Sequence, residues 1–320
     1  MNTRARCSVP ATSANLGPGF DSFGLALELR NEFQATLAPE WSVEILGEGA
    51  DYLRTDGRNQ VARAMAAVFE RQGVAHLRAA ISCENRVPTG NGLGSSSTAI
   101  VGGLLLGRAL AEGYLESEGR LVTSLTDDDI FGMAAAIEGH PDNVAPALFG
   151  GFTICWSEAG EYRHARFDPA LGLAAVVVPS SGELSTKAAR RMLPDTVSHA
   201  DAVFNIAHAG LLSAALVSGR HDLLAQALDD RVHQPYRAAA VEDFDQVCQM
   251  LVDAGAQGVA LSGAGPTVIG LVTGYDDAEA CGNAQAIATE LAVGLATVSG
   301  RRTPLALGIS REGALTDGER

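Results

Sequence analysis

Residues 88–98, Pro-Thr-Gly-Asn-Gly-Leu-Gly-Ser-Ser-Ser-Thr, carry the densest chemical signal in the chain. Gly90, Gly92 and Gly94 alternate, which lets a backbone approach a bulky ligand and turn its N–H groups inward. Ser95, Ser96 and Ser97 then open an Ala/Leu-rich stretch, predicted to be a helix whose amino-terminal dipole favours anions. Three hydroxyls at such a point suit phosphate oxygens or a metal ion. The bland alternative is a flexible turn capped by serine, but a turn has no need of three glycines, three serines and a long apolar helix in that order. The loop does not end in Gly-Lys-Ser/Thr, so it is not a Walker A loop. Its glycine spacing and the absence of a ribose-binding acid ~20 residues on also exclude a dinucleotide fingerprint.

A second set of residues suits a small zwitterion. Asp21 follows a Gly-Pro-Gly turn able to hold a carboxylate still, a fitting partner for an ammonium group. Asn15, in SANLG, can offer an amide to a ligand or fold its own turn. Thr186 and Arg190 are four residues apart and share a face of a predicted helix, presenting a hydroxyl and a guanidinium fork. Arg191 points ~100° away and reads as solvated. Taken alone, Arg237, in RVHQPYR, is a solvated surface charge. Glu138 closes a predicted helix just before Gly139, so its carboxylate can turn toward the glycine loop. His140 reads as hydrogen-bonding scaffold rather than as a base. The other six histidines have no metal-ligand spacing. No Ser-His-Asp arrangement is present and no residue stands out as a general base, which phosphoryl transfer tolerates because positioning and charge neutralisation carry most of its catalysis.

The elements that must hold these residues follow from periodicity and turn chemistry. Strands are predicted at 5–9, 32–37, 42–46, 77–85 and 151–156. A helix at 59–72 sets Val61, Met65, Val68 and Phe69 on one face, and another at 127–137 takes Thr126 as its cap. In the second half a buried strand at 174–178 precedes helices at 185–192, 200–218 and 244–254. Strand VALSG, the turn GAGP and strand TVIGLV come next, then a helix at 277–292 and strand-like tails at 296–299 and 303–307. The strands do not alternate with helices as a regular βαβ series, so the expected class is α+β, a mixed sheet with helices on one face.

Composition sets the outer limits. The chain has 320 residues, enough for one large domain or two modest ones. Hydrophobic residues make up 47%, aromatics 5% and glycines number 36, which suits an Ala/Val/Leu core with many tight turns. With 23 Lys and Arg against 38 Asp and Glu the formal charge is −15, so general binding to a nucleic-acid backbone is excluded, although a local arginine cluster can still hold a small anion. The five cysteines are scattered without a C-x-x-C pair and read as reduced core thiols. The amino-terminal MNTRARCSVPATSANLG has no apolar run of signal-peptide length. The apolar stretch 99–106 is broken by two glycines and falls well short of the ~20 residues of a membrane span. A soluble, cytoplasmic protein that binds no membrane is the expectation.

The glycine loop resembles that of the GHMP kinases, whose shared phosphate loop reads P-x-x-x-G-L-G-S-S; residues 88–96 match it without a gap. Three further segments are similar to the homoserine kinases within that family: VPATSANLGPGFDSFGLAL at 9–27, EGHPDNVAPALFGG at 138–151 and SGAGPTV at 262–268. The resemblance implies an amino-terminal ATP-binding domain over 1–160 with a mixed sheet, and a carboxy-terminal ferredoxin-like α+β domain over 161–320. It implies ATP contacts from Pro88, Gly90, Asn91, Gly92, Leu93, Gly94, Ser95, Ser96 and Ser97, and a Mg²⁺ ion held by Ser96 and Glu138. Asn15, Asp21, His140, Asn143, Thr186, Arg190 and Arg237 fall at substrate-binding positions, with Glu138, Asn143 and Arg190 as the catalytic set. The implied reaction is ATP-dependent phosphorylation of the side-chain hydroxyl of L-homoserine, on the way to threonine, with a homodimer left open. A kinase of the same family for another small hydroxy-amino acid, or a catalytically silent ligand-binding relative, is the alternative.

Overall fold

Two sheets packed face to face frame the molecule in a computed structural model, which describes residues 4–180, 182, 184–241, 243–295 and 303–317. In chain order the first half runs β1 (Arg4–Ala14), β2 (Phe23–Ala38), β3 (Ser42–Gly47), α1 (Gln60–Arg71), β4 (Arg78–Asn85), α2 (Ser95–Ser117), α3 (Asp127–Glu138), α4 (Val144–Phe149), β5 (Phe152–Glu158) and β6 (Glu161–Phe167). The second half runs β7 (Leu173–Val178), α5 (Thr186–Arg190), α6 (His199–Ser218), α7 (Leu224–Ala227), α8 (Gln234–Ala238), α9 (Phe244–Asp253), β8 (Gly258–Leu261), β9 (Val268–Thr273), α10 (Asp277–Leu295), β10 (Leu305–Gly308) and β11 (Leu315–Thr316).

The first sheet has the order β11-β1-β2-β4-β3, with β5 pairing β2 and β6 pairing β5. It is mixed: β3 runs parallel to β4, while the other neighbours are antiparallel. Helices α1 to α4 cover one face, burying Val61, Met65, Val68 and Phe69 of α1 as the periodicity predicts. The second sheet has the order β10-β7-β9-β8, antiparallel throughout. Its connectivity, strand, helices, hairpin, helix, strand, with the last strand beside the first, is the ferredoxin-like pattern that the resemblance implies.

The apolar run LAAVVV explains why β7 lies at the centre of this stack. Leu173, Ala175 and Val177 face the first sheet together with Leu25, Leu27 and Phe152, whereas Ala174, Val176 and Val178 face α9 and α10. A strand buried on both faces needs an unbroken hydrophobic sequence rather than an alternating one.

Several elements depart from expectation. β1 continues past residue 9 through Pro10, because the register shift between Pro10 and Ala11 absorbs the missing N–H in a bulge. β2 likewise starts at Phe23, well before residue 32. β6 and α4 were not expected. β6 reads EYRHARF, too polar to announce a strand, and Pro146 in α4 is tolerated in the first helical turn. Thr126 caps α3 as expected, in a capping box with Asp129. The strand expected at 296–299 lies outside the described residues, and the one at 303–307 is β10. Position 160 falls in the β5–β6 turn, and the first sheet continues to Phe167 and receives β11 from the far end of the chain. By length and composition α6 is apolar enough to cross a membrane, although polar residues such as Asp201, Asn205 and His208 interrupt its apolar runs. Its Asn205, Leu212, Ala215 and Leu216 are buried against the rest of the fold, while Val203 and Ile206 are exposed.

Candidate active site

The glycine loop lies between β4 and α2, clamped from both sides. Thr12 of β1 donates its N–H to Leu93 O at 3.1 Å, and Ser262 Oγ donates to Gly92 O at 2.7 Å. Glycine is obligatory at two of these positions. At Gly92 (φ +74°) a Cβ would stand 2.1 Å from Ser262 O, and at Gly94 (φ +71°) 1.9 Å from Thr12 Oγ1. Gly94 is the N-cap of α2, so no side chain caps the helix, and its first turn holds no acid. The first N–H groups of a 23-residue helix are thus left for an exogenous anion.

A cavity of about 150 Å³ opens in front of this turn. Gly90, Asn91, Gly92, Gly94, Ser95 and Ser96 line it, as do Asn15, Asp21, Glu138, His140, Asn143, Thr186, Arg190 and Arg237. Fourteen candidate residues from distant segments therefore share one cleft. Pro88, Leu93 and Ser97 do not line it. Pro88 is buried, Leu93 fills the core between the sheets, and Ser97 is buried beneath Glu138. Their part in the loop is to shape it.

Glu138 is the carboxylate that meets the helix start. Ser96 Oγ donates to its Oε2 at 2.7 Å and Ser97 Oγ to its Oε1 at 3.1 Å. A hydroxyl and a carboxylate are hard oxygen donors of the kind Mg²⁺ accepts while keeping most of its waters. Among the described residues no group of three or more His, Cys, Asp or Glu gathers as a metal cage. The next turn is a scaffold: His140 Nδ1 lies 2.7 Å from Asp142 Oδ1, which also accepts the Asn143 N–H at 3.0 Å. Burial works against a charged His140 ring, but the hydrogen bond and charge of Asp142, with Glu138 adding to them, outweigh it and raise its pKa. Asn143 Oδ1 accepts from Thr12 Oγ1 at 2.8 Å, which aims its amide nitrogen away from that contact.

The acid and the two arginines are arranged differently from the expectation. Asp21 and Arg190 pair with each other, Nη1 to Oδ2 at 2.7 Å and Nη2 to Oδ1 at 2.8 Å. This fork is half exposed, the Arg190 side chain retaining 39% of its accessibility; the hydrogen bonds it donates to Asp21 raise the Arg190 pKa. Thr186 and Arg190 do share a face of α5 toward the cleft, and Arg191 is exposed outside it. Arg237 is no surface charge: only 1% of it is accessible. Its Nη1 makes two long contacts of 3.4 Å, to His233 Nδ1 and Gly263 O, and its Nε has no hydrogen-bond partner among the described residues. Burial lowers its pKa, opposed chiefly by Asp21. A buried cation so sparsely satisfied is costly unless an anion joins it. Asn15, in left-handed conformation, is a brace as well as a wall: its Nδ2 donates to Gly263 O at 2.7 Å and its Oδ1 accepts from Asp21 N at 2.9 Å.

Sequence reasoning missed a second, larger cavity of about 330 Å³ that meets the first at Gly90, Ser95 and Ser96. Phe33, Ile45, Leu53 and Val61 give it apolar walls, and Asn59, Asn85, Thr89, Arg54 and Arg58 ring it with polar groups. It missed Phe20 too, whose ring lies 5.0 Å from the Arg237 Cζ and 5.8 Å from the Arg190 Cζ. The tetrapeptide Gly-Pro-Gly-Phe just before Asp21 held that signal, an aromatic next to a candidate ammonium-binding acid.

Residues 59–151 match the family GHMP kinases N terminal domain, and residues 212–285 match GHMP kinases C terminal. The chain is 45% identical over 264 residues to a homoserine kinase of Symbiobacterium thermophilum, covering 81% of this chain and 80% of that one. It is 40% identical over 287 residues to a homoserine kinase of Clavibacter michiganensis subsp. michiganensis, covering 89% and 87%. Among solved structures, a homoserine kinase from Cytophaga hutchinsonii superposes with a TM-score of 0.82 at 26% identity, over 99% of this chain and 98% of the other.

Proposed function

Because the chain belongs to the homoserine kinases of the GHMP kinase family, we propose that its cleft transfers the γ-phosphoryl group of ATP to the side-chain hydroxyl of L-homoserine. The observation that carries the reading is the buried, unsatisfied Arg237 beside the Asp21–Arg190 pair, facing an uncapped helix start across one cavity. An acceptor with both an ammonium and a carboxylate answers all three side chains. Its carboxylate takes the free donors of Arg237 and a share of Arg190, and its ammonium takes Asp21. One internal ion pair is thereby exchanged for a ligand-bridged set of charges. Thr186 adds a hydroxyl at the edge of this subsite.

The polyphosphate belongs at Gly90 to Ser96, against the open N–H groups of α2. The larger apolar cavity beyond Ser95 and Ser96 is the place for the nucleoside. Ser96 and Glu138 are the residues to hold Mg²⁺, which supplies charge neutralisation on the phosphates when bound. Asn143 and Arg190 stand close enough to the same cavity to orient the acceptor hydroxyl and offset developing negative charge. The step toward threonine, a cytoplasmic setting and a homodimer are further parts of this reading.

The acceptor subsite is tested by initial rates with L-homoserine and with 1,4-butanediol, which keeps the hydroxyl and lacks both charges. Losing partners of desolvated charges costs ~2–5 kcal/mol each, so kcat/KM for the diol is expected to be lower by at least ~10²-fold. Comparable efficiency on the two acceptors would remove the zwitterion site and the assignment with it.

A further inference from the structure

We propose that His233 is a positioning residue for Arg237, holding the guanidinium toward the acceptor through a neutral ring that accepts at Nδ1. The inference rests on the acceptor reading given above and deepens it. His233 is 0% accessible and immediately precedes α8, the short helix that carries Arg237. Its backbone is fixed by Asp230, whose Oδ2 accepts the N–H of His233 at 2.9 Å and of Gln234 at 2.6 Å. The ring bridges two partners of opposite demand. Nε2 lies 2.7 Å from Gly17 O, a carbonyl that only accepts, so Nε2 carries the proton. Nδ1 lies 3.4 Å from Arg237 Nη1, which only donates, so Nδ1 carries a lone pair.

Both contacts thus require the same neutral tautomer. Burial lowers the His233 pKa and Arg237 adds to that, against the pull of Asp230. Phe20 completes the support: it stacks on the His233 ring at 5.2 Å and 25°, and lies 5.0 Å from the Arg237 Cζ. The choice of histidine has a chemical sense. A carboxylate in its place would hold Arg237 more tightly but would cancel its charge and repel the acceptor's carboxylate. A neutral acceptor holds the cation in place and leaves its charge for the ligand.

The test compares two isosteric changes. In His233→Asn the amide oxygen can stand near Nδ1 and keep the acceptor for Arg237; in His233→Gln the amide nitrogen can stand near Nε2 and keep only the bond to Gly17. A lost hydrogen bond to a charged group is worth roughly tenfold or more, so His233→Gln is expected to raise the KM for L-homoserine by that factor with the KM for ATP unchanged. His233→Asn is expected to keep an acceptor KM close to that of the unaltered protein, even where its thermal stability falls. An unchanged acceptor KM in His233→Gln, or equal damage to both substrates in the two variants, would overturn the proposal. Should neither variant fold, ¹⁵N chemical shifts of His233 in the unaltered protein decide it: a neutral ring protonated at Nε2 supports the role, and protonation at Nδ1 refutes it. If the unaltered protein makes no phosphohomoserine, the acceptor reading fails, and the ring's tautomer still reports separately on how Arg237 is held.

Discussion

Glu138→Gln is expected to lose at least ~10²-fold in kcat while the protein melts close to its normal temperature. The amide keeps the size of the side chain, and one of the two serine hydroxyls, Ser96 or Ser97, retains an oxygen to bond. Glu138 is the last residue of α3, whose stability rests on the Thr126–Asp129 capping box and on buried Ile130, Phe131, Ala134 and Ala135 rather than on this carboxylate. What the change removes is a full negative charge beside Ser96, at the point where a divalent cation would neutralise phosphate. Charge stabilisation of that kind contributes several kcal/mol in the transition state, and each ~1.4 kcal/mol is tenfold in rate. Steady-state rates at saturating Mg²⁺, paired with thermal melting, read both halves of the expectation. A variant with unaltered kcat would take Glu138 out of the metal site.

Arg237→Ala is expected to damage acceptor use more than any other single change in the cleft. Truncating one partner of a desolvated, hydrogen-bonded charge pair costs ~2–5 kcal/mol, so kcat/KM for L-homoserine should fall by at least ~30-fold while the KM for ATP stays near its normal value. Arg190→Ala should fall less, because its side chain is 39% exposed and solvent already screens it. It also frees Asp21, its bidentate partner, for the ammonium end. A solvated surface arginine would instead change stability by no more than ~0.5 kcal/mol and leave substrate handling alone. If Arg237→Ala kept the full acceptor kcat/KM, the buried guanidinium would have only a structural part.

The site was legible in the sequence where its chemistry is local. The run 88–98 announces an anion-binding turn because alternating glycines, three serines and the start of an apolar helix are neighbours in the chain. Thr126 and Gly139 similarly frame α3, and thereby Glu138, from residues within a single helix. Thr186 and Arg190 share a face because α5 is one helix. The burial of both faces of β7 was legible from LAAVVV, and the α+β class from the irregular order of strands and helices.

What escaped was set by contacts between segments far apart. Asp21 and Arg190 stand 169 positions apart, so composition alone casts them as two separate binding groups rather than as partners. Thr12 reaches Asn143 across 131 positions, and nothing in either segment signals it. Arg237 looks like any arginine until α8 packs it under Phe20 and against the 262–265 turn, and only then does its charge become buried and unsatisfied. The second cavity draws its walls from β2, β3, β4, the start of α1 and the glycine loop, a convergence that periodicity cannot express. β6 escaped for a different reason: an edge strand with polar residues on much of its length obtains its place from pairing with β5 rather than from its own hydrophobic pattern.

The central claim, that this cleft joins the γ-phosphoryl group of ATP to the hydroxyl of L-homoserine, is tested most directly by following the reaction of the two with the purified protein by ³¹P NMR. The expected result is loss of the ATP γ-resonance with matched appearance of ADP and of a phosphomonoester coupled to the acceptor's terminal methylene. ATP left intact in the presence of L-homoserine and Mg²⁺, or converted to ADP and free phosphate alone, would contradict it.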